Sequence, residues 1–324
     1  MKKFSIQELG IIIVLVLLSI VFSILSPQFL QINNMFNIVK QVATLGMVSV
    51  GFTYVLISGG IDLSVGYQIS LINVVCALLM MDAGVSWPVA CAVGVVLGVL
   101  IGIVNGLIIA GTGVASLIVT LAMMIILRGT SYLISRGLPI FGFPRAFSVL
   151  GQGTAGPFPI PFIFLVVAVL IGSFVLGKTV YGRYFYALGS NEEAARLSGV
   201  NVFKVRVVVY GLNGLFTSIG SILMLSRLNS AQSSTGDGFE LDVITACVLG
   251  GVSISGGKGT VLGAAIGVLI IGTLDNGLLL LNVSEYVKSI IKGVILLTAV
   301  IYDSLAKAKR EQAKRMKAIN AEHV

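Results

Sequence analysis

The chain has 324 residues and a formal net charge of +8, and 56% of its residues are hydrophobic while 10% are charged. A soluble globular protein carries about 25% charged residues, so this chain, with a mean hydropathy of +1.04, lacks the polar surface needed to cover a soluble core. The composition therefore excludes a soluble domain and predicts an integral membrane protein. The positive charge is read first as a signal of membrane topology, and nucleic acid is not an expected partner.

About ten apolar stretches approach the roughly 20 residues that a helix needs to cross a bilayer. They predict an all-α, polytopic integral membrane protein with about ten transmembrane helices. The first stretch follows two lysines, as in a signal peptide, but no small-residue cleavage site follows it, so it is interpreted as an uncleaved span. In chain order the stretches cover residues 9–25, 42–58, 63–82, 88–110, 115–134, 160–177, 207–225, 241–256, 259–281 and 287–303.

Lysine and arginine residues are concentrated in the loops on one side of these spans. Because cytoplasmic loops are enriched in Lys and Arg, an even number of spans with both termini in the cytoplasm fits the distribution. The prediction is a single transmembrane domain over residues 1–306, followed by a basic cytoplasmic tail over residues 307–324. The basic residues placed on the cytoplasmic side are Lys2, Lys3, Lys178, Arg183, Arg196, Lys204, Arg206, Lys258, Lys307, Lys309, Arg310, Lys314, Arg315 and Lys317.

Two longer loops fall on the outer side in this topology. Residues 137–161 are rich in proline, and residues 227–242 carry the three carboxylates Asp237, Glu240 and Asp242. Either loop is a candidate surface for an external partner, and either also serves as a plain connection between spans. Both interpretations stay open.

The most informative polar residues at membrane depth follow the second predicted span. Gly59 and Gly60 interrupt the apolar run there, and Asp62 and Ser64 come directly after them. A carboxylate at that depth is costly and usually faces a partner or a water-filled path, and non-helical backbone is tolerated only where protein or cavity water satisfies it. Asp62 is therefore expected to cap the next helix or to line a translocation path, and the two roles are compatible.

Asn105 and Asn276 each precede a glycine within an apolar run. Such amides either line a polar path or form hydrogen bonds between helices, so both join the candidate path residues with the two interpretations open. A separate four-residue spacing of glycines predicts close helix contacts: Gly94, Gly98, Gly102 and Gly106.

No catalytic or metal-binding pattern is readable. Cys76, Cys91 and Cys247 lie in apolar segments without a CxxC pair, and His323 is the only histidine, so neither a metal, a cofactor nor a disulfide framework is expected. The run Gly256-Gly257-Lys258-Gly259 departs from a phosphate-binding loop, which needs Ser or Thr directly after the lysine. The chain is therefore predicted to be a transporter rather than an enzyme, with its energy supplied from elsewhere.

The longest polar interval between two apolar blocks follows the sixth predicted span and contains a short helix. Asn191 suits the N-cap, Glu192 and Glu193 suit the first turn near the positive end of the helix dipole, and Gly199 suits a left-handed residue after the last turn. Glu192 and Arg196 are four residues apart and are predicted to pair on one face. A helix of about 10 Å is too short to be stable alone, so we expect another protein to hold it.

Several motifs together resemble the permease subunits of bacterial sugar ABC importers, and most closely the ribose-type permeases. Residues 186–201 resemble the cytoplasmic coupling loop, and within them Glu193-Ala194-Ala195 followed by Gly199 fits the EAA-x-x-x-G pattern of importer permeases. Residues 60–66, and 249–253 with 256–259, resemble two further signatures, so that the similarity spans nearly the whole chain. The usual continuation Ile-x-Leu-Pro is absent, because Val209, Gly211 and Leu212 occupy those places.

The resemblance implies a complex in the bacterial inner membrane. Two permease subunits, a homodimer or a pair with a related chain, form the pore, and a periplasmic or lipid-anchored sugar-binding protein delivers a monosaccharide such as ribose. Two cytoplasmic ATP-binding cassette subunits grip the coupling loop, residues 178–206. The residues implied in that contact are Asn191, Glu192, Glu193, Ala194, Ala195, Arg196 and Gly199.

A different class of transporter also fits part of the sequence. Ion-coupled secondary transporters use broken helices and carboxylates within the membrane, and Asp62 and Asp275 are the residues that would then bind a proton or sodium ion. This alternative predicts solute accumulation without any ATPase subunit.

Overall fold

A computed structural model describes the backbone of residues 6–322 and the side chains of residues 10–305. That part of the chain is built of α-helices, with only two pairs of two-residue antiparallel strands, β1–β4 and β2–β3. The elements in chain order are α1 Ile6–Leu25, α2 Ile32–Ile57, α3 Val65–Met81, α4 Trp87–Thr112, α5 Ser116–Ser135, β1 Ile140–Phe141, α6 Arg145–Gln152, β2 Thr154–Ala155, β3 Phe158–Pro159, α7 Ile160–Lys178, α8 Val180–Ser190, α9 Glu192–Leu197, α10 Val202–Leu228, β4 Ser230–Ala231, α11 Phe239–Leu249, α12 Val261–Leu280 and α13 Glu285–Glu322.

Six of the described helices, α2, α4, α5, α7, α10 and α12, are long and apolar enough to cross a membrane. Gly10–Leu25 of α1 and the whole of α3 are shorter apolar helices. The helical, polytopic character predicted from the sequence is therefore confirmed. The number of about ten crossings and the cytoplasmic position of both termini stay predictions.

The span expected at residues 241–256 is wrong as one continuous helix, because α11 ends at Leu249 after 11 residues. Such a helix is about 16 Å long, roughly half of the hydrocarbon thickness. The chain turns at Gly251, which has φ +81°, and the Val252 amide donates to the Cys247 carbonyl at 3.0 Å. A left-handed glycine ends the helix at a low conformational cost.

The helices α4 and α10 pack closely against each other. The glycine spacing predicted for close contact lies on this interface: a Cβ added to Gly102 would collide with the Tyr210 carbonyl, and one added to Gly98 would lie 2.8 Å from the Gly214 carbonyl oxygen. Small residues let two helix backbones approach within the membrane, where van der Waals contact drives association. The predicted packing role of these glycines is therefore confirmed.

The two ends of the bundle carry different structures. One end carries α8, α9 and the loop of residues 250–260, whose Gly257 amide donates to the Ile57 carbonyl at 2.8 Å. We call this end the coupling end, because the segment predicted to be a coupling loop lies there. The opposite end carries α6 and the paired strands β1 and β4. The loop expected at 227–242 differs from a plain surface loop, because Phe239 already begins α11 and Gly236 packs against Gly66 of α3.

The predicted basic tail is part of α13, which continues without a break from Glu285 to Glu322. The side chains of residues 306–322, together with Lys2, Lys3 and His323, lie outside the described residues. The cytoplasmic position of this tail therefore stays a prediction.

Candidate functional site

The helix α9 begins as its sequence predicts. Asn191 has an extended backbone, with φ −164°, and its Oδ1 atom accepts from the Ala194 amide at 2.9 Å. Glu192 and Glu193 occupy the first turn. An N-cap side chain satisfies one of the amides that have no partner within the helix, so six residues form a defined turn and a half.

The end of α9 is also set by its sequence. Gly199 has φ +84°, its amide donates to the Arg196 carbonyl at 3.0 Å, and the Val200 amide donates to the Ala195 carbonyl at 3.1 Å. These two bonds form a Schellman motif, which satisfies carbonyls at the end of a helix. The predicted left-handed conformation of Gly199 at the end of α9 is therefore confirmed.

The predicted pairing of Glu192 with Arg196 is wrong. Arg196 pairs instead with Glu193, with 3.1 Å between Nη2 and Oε1, and both side chains are more than two-thirds exposed. Glu192 forms an ion pair with Arg206 in α10. Arg206 belongs to a different helix, so helical spacing within α9 carries no signal for this contact.

Apart from Ala195, the residues of α9 are exposed, and Leu197 is 80% exposed. The helix therefore presents two acidic residues, one basic residue and one large apolar side chain to its surroundings. A surface of this mixed character suits a protein contact, because apolar area supplies affinity and charges supply register.

One face of α10 connects α9 with the interior of the bundle. Arg206 reaches Glu192, the Tyr210 hydroxyl donates to the Ile61 carbonyl at 3.3 Å, and Asn213 Nδ2 donates to Asp62 Oδ2 at 2.9 Å. The three α10 residues are spaced by four and three, which places them along one side of a helix. We call Arg206, Tyr210 and Asn213 the α10 stripe.

Asp62 lies at the centre of a buried cluster of hydrogen bonds. Its Oδ1 atom accepts from the amide and hydroxyl of Ser64, at 3.0 and 2.5 Å, and Asn105 Nδ2 donates to Ser64 Oγ at 3.0 Å. With Asn213, the cluster joins the 58–64 break to α4 and α10, and each of the four side chains is at most 1% exposed. We call Asp62, Ser64, Asn105 and Asn213 the Asp62 cluster.

The sequence left a capping role and a path-lining role open for Asp62, and the structure shows a buried carboxylate that is 1% exposed. The Ser64 amide donates to Asp62 Oδ1 just before α3 begins, but Ser64 itself is the N-cap residue of α3, so the predicted capping role of Asp62 is wrong. Asp62 also bonds to Asn213, a residue that sequence reasoning missed. The sequence did contain a signal for Asn213: like Asn105 and Asn276, it is an amide side chain within an apolar helix. It also lies seven residues after Arg206, which is about two turns along the same helix.

Gly59 and Gly60 lie in a different position from the cluster. They line a cavity of about 210 Å³ at the coupling end, together with Ser116 and the first two residues of the α10 stripe, Arg206 and Tyr210. Gly59 has φ +81°, a conformation that favours glycine. The cavity lies between the break in the α2–α3 segment and the helix that contacts α9.

Asn276 is separated from the other candidate path residues. Its side-chain amide exchanges two hydrogen bonds of 2.8 Å with that of Asn34, which ties α12 to the start of α2. Both residues line a second cavity, of about 620 Å³, at the opposite end of the bundle. The structure thus divides the predicted path residues among the Asp62 cluster, the coupling-end cavity and this distant cavity.

The loop of residues 250–260 packs against the coupling end of the bundle. The Tyr186 hydroxyl of α8 donates to the Gly259 carbonyl at 2.7 Å, and burial raises the pKa of Tyr186, so the phenol stays protonated at neutral pH. A Cβ on Gly189 would collide with the Ile57 carbonyl. The motif at 256–259 is therefore a packing element between α2 and α8.

Asp275 has a cation beside it. Lys292 Nζ lies 3.4 Å from Asp275 Oδ1 and 2.9 Å from Asp242 Oδ2, so α11, α12 and α13 share one charge cluster. Asp62 is held by hydrogen bonds from Ser64 and Asn213. Both carboxylates proposed for ion coupling are thus engaged by protein groups.

Taken together, these features define a class. A bundle of apolar helices with polar groups buried at membrane depth and an exposed polar helix at one end is a multi-pass membrane protein. Residues 34–300 match the family described as the branched-chain amino acid transport system / permease component. The chain belongs to that family.

Curated relatives are similar to the chain over nearly its whole length. The ribose import permease protein RbsC of Bacillus subtilis is 44% identical over 92% of both chains. The Escherichia coli K12 protein of the same name is 43% identical over 94% of this chain and 95% of its own, and the L-arabinose transport system permease protein AraH of that strain is 40% identical over 94% and 93%. No solved structure is significantly similar. The resemblance to sugar import permeases is confirmed.

Proposed function

We propose that the chain is the membrane-spanning subunit of an ATP-driven importer for a monosaccharide in the bacterial inner membrane, with ribose as the first substrate to test. It forms the translocation path and is driven by separate ATPase subunits through α9. The similarity to permeases named for ribose and L-arabinose supports the substrate class. The sequence has no catalytic or nucleotide-binding motif, which supports a subunit that conducts the sugar and takes its energy from another protein.

The single observation that carries the coupling role is the connection from α9 to the bundle interior. An exposed helix of six residues is joined by Arg206 to α10, and the same stripe reaches the broken segment at Ile61 and Asp62. A displacement of α9 therefore acts on the helix whose side chains hold the 58–64 break. ATPase closure applied at Asn191, Glu192, Glu193, Ala194, Ala195, Arg196 and Gly199 shifts this helix between outward-open and inward-open states.

The topology that accompanies this function has ten crossings. We count α1, α2, α3, α4, α5, α7, α10, the broken segment of residues 232–249, α12 and α13. The coupling end, with the cytoplasmic loop of residues 178–206, then faces the cytoplasm, and both termini lie on that side. The basic residues of the loop, among them Lys178, Arg183 and Lys204, support this orientation through the positive-inside rule.

The proposed complex contains two copies of this chain, two ATPase subunits and a periplasmic or lipid-anchored sugar-binding protein. A pair with a second, related permease in place of the homodimer is a further possible composition, and purification of a tagged chain with its neighbours distinguishes the two. The outer end, with α6 and the strands β1 and β4, is the surface offered to the binding protein.

Uptake by the reconstituted complex tests the function. Proteoliposomes containing the chain, the ATPase encoded beside it and the binding protein are expected to accumulate labelled ribose with ATP and to continue when ion gradients are collapsed. The double variant Glu193→Lys with Gly199→Asp is expected to abolish ATPase assembly and uptake, whereas Arg183→Ala, an exposed residue of α8, retains both. Accumulation by the chain alone, or full uptake by the double variant, contradicts the proposal.

A further inference from the structure

A second group of polar side chains lies on the surface of the bundle, and its members neither belong to the Asp62 cluster nor line either cavity. The Tyr67 hydroxyl donates to Asp237 Oδ1 at 2.8 Å, and the Arg128 guanidinium carbon lies 5.5 Å from the centre of the Tyr67 ring. Tyr67 is buried, while Arg128 and Asp237 are exposed. The exposed members of this surface, which we call the open polar face, are Arg128, Tyr132, Gln232, Ser234 and Asp237.

The open polar face lies at membrane depth. Arg128 is seven residues before the end of α5, which places it about 10 Å inside that helix end. Residues 232–238 run inward beside α5 without helical structure. Two hydrogen bonds hold this segment in place: Ser233 Oγ donates to the Ser131 carbonyl of α5 at 3.0 Å, and the Gly236 amide donates to Ser70 Oγ of α3 at 2.9 Å. At Gly236 this segment packs on Gly66, near the start of α3.

Lipid is a poor environment for this surface. Non-helical backbone within the hydrocarbon is tolerated only where protein or cavity water covers it, and an exposed arginine at that depth is strongly disfavoured. Other faces of the bundle show the contrast. The large exposed side chains within the apolar stretch of α7 are Ile163, Phe164, Val166, Val167, Leu170, Ile171 and Phe174.

We propose that the open polar face is one wall of the water-filled sugar path, and that the translocated monosaccharide contacts Arg128 and Asp237 on it. This inference rests on the proposed function, and the second permease subunit closes the path from the other side. A guanidinium offers several donors in one plane and a carboxylate offers acceptors, which together match the adjacent hydroxyls of a sugar. Tyr132, four residues after Arg128, adds an aromatic surface at 37% exposure.

Tyr67 is a positioning residue in this arrangement. Its ring lies under the Arg128 guanidinium and its hydroxyl fixes Asp237, so it sets the separation of donor and acceptor groups without being exposed itself. The cation–π contact holds a long side chain that otherwise has many rotamers. The path therefore runs along α5 and residues 232–238, in front of the buried Asp62 cluster.

Labelling of single cysteines in the reconstituted complex tests the location. Ser234→Cys, made in a background lacking the three native cysteines, is expected to react with a charged, membrane-impermeant thiol reagent, and excess ribose with binding protein slows that reaction. Val167→Cys on α7 is the matched control, which faces lipid and stays unreactive. A Ser234→Cys as unreactive as the control, or one that forms only a disulfide between two copies, overturns the proposal in favour of a dry subunit contact.

Transport by charge variants tests the sugar contact. Arg128→Gln and Asp237→Asn each remove one charged hydrogen-bonding group, so the maximal uptake rate is expected to fall roughly tenfold while the complex still assembles. Arg128→Lys is expected to restore part of the rate. Normal uptake by both neutral variants refutes this inference alone, whereas a parent complex that transports no sugar refutes the proposed function as well.

Discussion

The exposed helix α9 and the Asp62 cluster are both polar, but they are held by different kinds of interaction. The helix is exposed, and its cap, its C-terminal glycine and its Glu193–Arg196 pair lie within nine residues of sequence. The cluster is buried and joins Asp62 to Asn213, which is 151 residues away. An exposed ion pair stabilises the folded state by about 0.2–1 kcal/mol, while a buried polar group left without a hydrogen-bond partner destabilises it by about 1–3 kcal/mol.

The difference assigns different mechanical roles to the two regions. A surface held by weak, local interactions adapts to a partner without disturbing the bundle. A fully buried cluster resists rearrangement, because partial loss of its hydrogen bonds is costly. The α10 stripe joins the two. Under the proposed function, a displacement of the exposed helix acts on the buried cluster through this stripe, and the following variants test this division in order of expected effect.

The largest effect is expected for Asn213→Leu. The substitution leaves Asp62 Oδ2 without its Asn213 donor in a site that is 1% exposed, and leaving a buried acceptor unsatisfied costs up to about 3 kcal/mol. Thermal unfolding of the purified complex in detergent measures the loss. Thr217→Val is the control one turn further along α10, because Thr217 Oγ1 is buried without a hydrogen-bond partner among the described residues. Equal effects of the two substitutions contradict the role of the cluster.

A somewhat smaller loss is expected for Gly102→Ala. The added methyl group collides with the Tyr210 carbonyl, so α4 must move away from α10, and overpacking of this kind costs roughly 1–3 kcal/mol. Gly111→Ala, on the same helix, meets nothing closer than a ring carbon of Phe203 at 3.9 Å and is expected to be neutral. The same unfolding measurement compares them, and an unchanged midpoint for Gly102→Ala disproves the tight contact.

Gly199→Ala is expected to have a local effect. No atom lies within 4 Å of the added Cβ, so the cost is the backbone strain of a left-handed alanine, about 1 kcal/mol. Binding of the ATPase subunit is expected to weaken roughly fivefold, without a change in unfolding of the bundle. Gly199→Asn is the matched variant, and since asparagine tolerates this conformation better, it weakens binding less. The reverse order of the two variants argues against a conformational role.

The smallest stability effect is expected for Arg206→Ala. The Glu192–Arg206 pair is partly exposed, so its loss costs about 0.5 kcal/mol. Sugar-stimulated ATP hydrolysis is nevertheless expected to fall, because the contact between α9 and the α10 stripe is broken. The exchange Arg206→Glu with Glu192→Arg is expected to recover part of the stimulation, and Lys204→Ala, exposed on the same turn, leaves it unchanged. If sugar still stimulates ATP hydrolysis fully in Arg206→Ala, the α10 stripe does not couple α9 to the bundle.

Both regions could be predicted from the sequence only to the extent that they are local. The start and end of α9 follow from the capping preferences of Asn191 and Gly199, which act within one turn of helix. The partner of Glu192 could not be predicted, because Arg206 approaches it from another helix. The same reason hid Asn213, whose contact with Asp62 depends on how α10 packs against the 58–64 break.

The candidate path shows the same limit. Asp62, Ser64 and Asn105 were selected as costly polar residues at membrane depth, and the structure brings all three together, but buried in one cluster. In the sequence, a polar residue within an apolar segment looks the same whether its side chain faces water or a hydrogen-bonding partner. Only the packing of α3, α4 and α10 separates the two situations.

By itself, the sequence determined the membrane class, the helical architecture and the start and end of α9, because hydropathy and capping act over one helix at a time. Tertiary structure alone decided that α11 is half a span and that Asn276 lies apart from Asp62. It also decided that Tyr67 contacts both Arg128 and Asp237, which are exposed on one face. Those outcomes depend on contacts between segments distant in the chain, where the close approach of glycine backbones sets which polar groups meet.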